Sequence, residues 1–187
     1  MDQRELIDRA RRGDHDAFAE LVDGALRRLD AAARLMLRDP DLAQDAVQDS
    51  LIRAWRDLPG LRDPDRFDAW LHRLTVNACL DLLRRRRRRP MEVELSPIDS
   101  MNMPDHSSAF AERELLDVAL RRLDPGHRAV VALHYLLGMP LQEVAISLGI
   151  PYGTAKSRLH YALTAMRTGV QAEAYEATAS ISGGQPA

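Results

Sequence analysis

Asp41, Asp45, Gln48 and Asp49 recur at i, i+4, i+7 and i+8, so a helix over this stretch gathers them on one face. Like charges so placed disfavour one another by roughly a few tenths of a kcal/mol per pair. Such a stripe does no covalent chemistry. It is either a solvated helix face or a docking surface that steers a basic partner. A second set, Trp70, Arg73, Asn77 and Asp81, also steps by three and four and leads into Arg84, Arg85 and the rest of an unbroken arginine run ending at Arg89. An aromatic ring can stack on a base, an amide can bond a base edge, and arginines hold phosphates, a combination suited to single-stranded or melted DNA. Taken alone, Trp70 reads equally well as core. A third set places Lys156 and Arg158 in a segment without a carboxylate from Ile150 to Gly169.

The third set follows a pattern that positions a helix. Leu141, Val144, Ala145 and Leu148 fall at i, i+3, i+4 and i+7, one buried face. Gly149 stands where a helix ends in a left-handed residue, and Pro151 suits the first turn of the next helix. Small Ala145 lets two helices cross closely. The pattern fits a helix-turn-helix whose second helix enters the major groove, and also an ordinary αα-corner; the basic, acid-free second helix favours DNA.

The remaining elements follow from start and stop signals. Asp14 and Asp16 open a helix to about Leu37, closed by Asp39–Pro40. Another runs from about Asp41 to Leu58 and stops at Pro59–Gly60. Asp63–Pro64 opens a third, with Leu71, Leu74, Ala78 and Leu82 as its buried stripe. Residues 90–108 hold three prolines, four serines and scattered acids without periodicity, which reads as a flexible acidic linker. Helices resume from about Ala109 to Leu123 and from Pro125 to Leu137, followed by the helix-turn-helix to about Gly169. The tail, residues 170–187, reads as disordered. The fold class is therefore all-α: two small helical domains, residues 1–89 and 109–169, joined by a flexible linker.

Composition narrows the function. The chain has 187 residues, 45% of them apolar and 5% aromatic, and a formal charge of −2 that conceals strong segregation of sign. No apolar stretch approaches the roughly 20 residues of a membrane span, and Met1–Asp2–Gln3–Arg4–Glu5 lacks a signal-peptide core, so a cytoplasmic protein is expected. Cys79 is the single cysteine. With His15, His72, His106, His127, His134 and His160 scattered and no Gly-rich phosphate loop, no enzyme, metal or cofactor is expected.

All of these pieces occur in one order in one family. The chain resembles, up to about Arg167, bacterial RNA polymerase sigma factors of the sigma-70 family, in their small extracytoplasmic-function (ECF) form. Asp14–His15–Asp16–Ala17–Phe18–Ala19–Glu20–Leu21–Val22 is similar to the start of sigma region 2. Asp45–Ala46–Val47–Gln48–Asp49–Ser50–Leu51–Ile52–Arg53–Ala54–Trp55 is similar to its polymerase-binding helix. Phe67–Asp68–Ala69–Trp70–Leu71–His72–Arg73–Leu74–Thr75–Val76–Asn77, with Asp81 and Arg84, is similar to the −10 promoter-reading helix. Leu123–Asp124–Pro125–Gly126–His127–Arg128 and the helix-turn-helix are similar to region 4.

The resemblance implies roles. Asp45, Gln48 and Asp49 would meet the β′ clamp helices of core RNA polymerase, with region 4 on the β flap. Asn77 would take a flipped −10 base, with Trp70, Arg73, Asp81, Arg84 and Arg85 around the opened strand. Thr154, Lys156, Ser157, Arg158, His160 and Tyr161 would meet the −35 element. An anti-sigma factor is implied as a further partner. Leu51 stands where the family usually has a large aromatic, and Tyr161 where it more often has arginine, which removes a charge and a bidentate base contact. The linker fits by length: about 20 residues reach about 70 Å extended but average about 25 Å as free coil, while elements roughly 16–20 bp apart are separated by about 55–70 Å. The competing readings are a stand-alone duplex-binding regulator, which leaves the acidic stripe unexplained, and a helical interaction adaptor.

Overall fold

The computed structural model describes residues 2–88, 119–120 and 122–182, and among them every regular element is helical. In chain order these are α1 (Gln3–Arg11), α2 (His15–Leu37), α3 (Pro40–Asp57), single 3₁₀ turns at Leu58–Gly60 and Pro64–Arg66, and α4 (Phe67–Arg88). Then come α5 (Pro125–Val131), a π-helical turn (Ala132–Leu136), α6 (Leu141–Leu148) and α7 (Tyr152–Ser182). The linker at residues 90–108 and the helix expected from Ala109 lie outside the described residues, apart from the end of the latter.

Local chemistry sets the boundaries. Asp14 caps α2 by accepting from the Ala17 N–H at 3.0 Å, and Arg9 holds the same carboxylate. Asp39 caps α3 through the Leu42 N–H, just before Pro40 at the first helical position. Asp124 accepts from Gly126 and His127 and starts α5. Gly149 ends α6 at φ +64°, a conformation that costs glycine nothing and a β-carbon-bearing residue about 1 kcal/mol.

The first bundle is α1–α4, with Ile7, Leu29, Met36, Leu58, Phe67, Leu71 and Val76 fully buried at its centre. α5, the π turn, α6 and α7 form the second, around Val130, Leu133, Val144, Ala155 and Ala162. The two bundles pack together. One face of α2 meets α3 and α4, another meets α5 and the π turn, and Leu133, Leu137, Met139 and Val144 join the core of the first bundle. This docking was not legible in a sequence that showed only two bundles and a linker.

Two boundaries differ from expectation. α1 gives no strong start signal yet forms, because Leu6, Ile7 and Ala10 bury one face against α2. The tail expected to be disordered from Val170 continues α7 as helix through Ser182. Its Gln-, Ala- and Glu-rich composition favours helix, and the first strong stop is Gly183–Gly184. Gly169 is no stop because it faces Ala119, where a β-carbon would lie 3.6 Å from that side chain.

Candidate protein-docking and nucleic-acid interfaces

The acidic stripe lies on the outer face of α3. Ala43, Ala46, Val47, Ser50 and Ala54 bury the opposite face, which turns Asp45 and Gln48 fully outward. Asp49 is partly shielded by an ion pair with Arg53 at 2.6 Å. Sequence reasoning missed Ile52, 59% exposed on the same face. Its place at i+7 from Asp45 was the signal, obscured because a lone apolar residue on a helix defaults to core.

α4 is locked to α3 by a polar contact inside the core. The Thr75 hydroxyl donates to Ser50 Oγ at 2.9 Å, and Ser50 donates to the Val47 carbonyl at 2.7 Å. Both residues are buried, so the pair sets the rotation of α4 about its axis. That rotation puts Arg73 and Asn77 in solvent. Trp70 is half-buried, its ring 6.0 Å from that of Phe67, and so belongs partly to the core and partly to the surface. Asp81 is bonded to Arg84 at 2.9 Å and Arg85 is exposed. A groove of about 240 Å³ between α3 and α4 is lined by Asp45, Asp49 and Arg53 on one side and Asp81 and Arg85 on the other. The acidic stripe and the arginine-rich end of α4 are therefore adjacent.

Sequence reasoning also missed how α4 meets the second bundle. Trp70 and Arg73 line a groove of about 480 Å³ shared with Met139, Glu143, Ile146 and Ser147 at the start of and along α6. His72 is 5% exposed with its Nε2 unpartnered. Burial pushes its pKa below the usual imidazole value, with Arg28 acting in the same direction and Asp68 and Glu143 against it. Burial likewise pushes the Cys79 thiol up to about 12, which leaves it unreactive near neutrality.

In the second bundle, Ala155 and Ala162 bury one side of α7 and turn Lys156, Ser157, His160 and Tyr161 outward. Thr154 and Arg158 sit half-buried at the flank of this face. The Arg158 guanidinium lies over Gly126 of α5, where a β-carbon would come within 3.2 Å of it. Tyr161 is 64% exposed, and the rings of His127 and His160 lie near its own, with centroids 6.2 and 6.1 Å away. From sequence His127 was read as part of the start of region 4 and was not placed on the −35 face, because it lies ahead of the helix-turn-helix in the chain and its approach to α7 is tertiary. Arg128 is buried and donates to the Leu123 carbonyl at 2.6 Å, which closes the chain ahead of α5.

Among the described residues no helix is long and apolar enough to cross a membrane, and no cluster of His, Cys, Asp and Glu is placed to hold a metal ion. Residues 21–89 match the sigma-70 region 2 family and residues 113–166 match sigma-70 region 4. The chain is 37% identical over 136 residues to the ECF RNA polymerase sigma factor SigL of Mycobacterium tuberculosis, covering 71% of this chain and 77% of that protein. It is 33% identical over 168 residues to the RNA polymerase sigma-E factor of Streptomyces avermitilis, covering 88% and 93%. Among solved structures it is similar to CnrH in complex with the cytosolic domain of CnrY, with a TM-score of 0.62 and 29% identity over 91% of this chain and 97% of that one. RpoE from Bartonella quintana, crystallised with the anti-sigma factor NepR, has a TM-score of 0.63 at 23% identity over 82% and 96%, a likeness of fold.

Proposed function

The chain belongs to the sigma-70 family, as an ECF-type RNA polymerase sigma factor that directs promoter-specific transcription initiation, and from that premise we propose how its surfaces divide the work. Residues 1–89 act as region 2 and residues 109–169 as region 4. Asp45, Gln48 and Asp49 dock on the β′ clamp helices of core polymerase, and region 4 engages the β flap. Trp70, Arg73, Asn77, Asp81, Arg84 and Arg85 hold the melted −10 strand. Thr154, Lys156, Ser157, Arg158, His160 and Tyr161 meet the −35 duplex. The protein binds and positions; it performs no covalent chemistry, and it acts in the cytoplasm.

The observation that supports this division most directly is the rotation of α4 fixed by Thr75 and Ser50. It exposes Arg73 and Asn77 while keeping Asp45 and Gln48 outward on the neighbouring helix. Flipping a base costs a few kcal/mol of unstacking. An exposed amide with arginines on the same ridge offers contacts available only to an unpaired strand, and these offset that cost.

An anti-sigma factor is a further proposed partner. CnrH is similar to this chain over nearly its whole length and was solved with the cytosolic domain of CnrY. The groove between α4 and α6 presents Trp70 and Ile146 to such a partner.

Run-off transcription with core polymerase on genomic promoter fragments, with and without this chain, tests the reading. New discrete starts sharing a −10/−35 pattern are expected. Specific duplex binding by the chain alone, without core binding, would return the stand-alone regulator.

A further inference from the structure

Resting on the assignment of α7 as the −35 reader, we infer that Tyr161 recognises a thymine methyl in the −35 element, and that His127, outside the helix-turn-helix, sets its ring for that contact.

The argument starts from what α7 offers a base pair. Its outward face carries Lys156, Ser157, His160 and Tyr161, and Arg158 is drawn to the flank over Gly126. Tyr161 brings no guanidinium fork, so it cannot take the bidentate guanine contact an arginine would make there. What it presents is an exposed ring, and the apolar feature of the major groove is the thymine C5-methyl.

The ring is also held. A side chain that discriminates a single methyl must not swing freely. His127 stands against Tyr161 from α5, tilted 56° to it, and His160 from α7, tilted 64°. His127 is itself anchored twice by Asp124. Its backbone N–H donates to one carboxylate oxygen at 3.0 Å, and its Nδ1 pairs with the other. Asp124 thus fixes His127, and His127 backs the reading ring. Tyr161 is the specificity-determining residue and His127 a positioning residue.

The test uses holoenzyme assembled from core polymerase and the full chain, on promoter duplexes identified by run-off transcription. Each −35 thymine is replaced singly by deoxyuridine, which removes the methyl and keeps the base pair. One position is expected to lose about fourfold in affinity, the worth of one apolar carbon removed from water. Tyr161→Ala should abolish that sensitivity, and Tyr161→Phe should keep it. His127→Ala should reduce it about twofold, and His127→Phe, which still packs against the ring, should restore it. Uniform binding across all deoxyuridine duplexes would overturn the inference, as would full methyl sensitivity in Tyr161→Ala. Loss of sensitivity in Tyr161→Phe would overturn it in favour of a phenol hydrogen bond. Unchanged sensitivity in His127→Ala would remove His127 from the account. Promoter binding without any methyl-sensitive position sinks this inference alone. A holoenzyme that selects promoters no better than core polymerase sinks the −35 assignment with it.

Discussion

α4 and α7 are both long helices proposed to meet DNA, but they are positioned by different means. α4 is fixed from its buried side, where Thr75 meets Ser50 in the core and leaves Arg73 and Asn77 in open solvent. α7 is fixed at its rim as well: Arg158 lies over Gly126, and Tyr161 is backed by His127. The contrast suits the two targets. A melted strand is flexible and can come to exposed groups, provided the helix bearing them is rotated correctly. A duplex is stiff, so its reader gains from side chains already placed when they meet the groove.

The sharpest way to break the comparison is to remove polymerase docking while leaving both DNA faces intact. Replacing Asp45 and Asp49 together by Arg should weaken core binding by about 100-fold, since reversed charges face a basic partner. Fluorescence anisotropy with labelled chain measures this, and unchanged affinity would count against the stripe. Next in size, Asn77→Ala should lower discrimination of the −10 element by about tenfold in holoenzyme binding, within the usual cost of one base contact. Core affinity should stay the same, and a parallel loss would mean that the faces of α3 and α4 are not separable.

Smaller effects sharpen the positioning argument. Thr75→Val deletes the hydroxyl bonded to Ser50 and should cost about 1 kcal/mol of stability by denaturant unfolding. Its −10 discrimination should fall while −35 preference holds, because the lock belongs to α4 alone. The smallest effect concerns pH. The Ala17 N–H and then Arg9 hold the Asp14 carboxyl below its usual value of 3.8. A depressed folded-state pKa contributes stability that is present above the unfolded value and lost as pH falls through the folded one. Asp14→Asn keeps a good cap but cannot titrate. The unaltered chain should therefore lose more stability than the Asn variant as pH falls below the usual carboxylate value of 3.8. Parallel acid-unfolding curves would show that this cap carries no pH dependence.

Much of this molecule was legible because its signals are local. Asp14 announces a helix start, Asp39–Pro40 and Gly149 announce stops, and the spacing of Asp45, Gln48 and Asp49 announces a face. These depend on groups within a few residues of one another. Ile52 was legible in principle by the same spacing and was passed over. α1 and the helical extension of α7 beyond Val170 were harder, because neither carries a decisive boundary residue: α1 rests on packing against α2, and the extension on the helix propensity of its residues.

By itself, then, the sequence determined two helical bundles, their order and the character of three surface faces, because helix periodicity and capping act over one or two turns. Tertiary structure alone decided which residues meet across elements. The Ser50–Thr75 lock, the approach of His127 to Tyr161, the seat of Arg158 on Gly126 and the packing of α6 beside Trp70 and Arg73 join residues distant in the chain. Such contacts arise from how buried faces rotate and stack, and that outcome depends on the shapes of all the side chains in the core together.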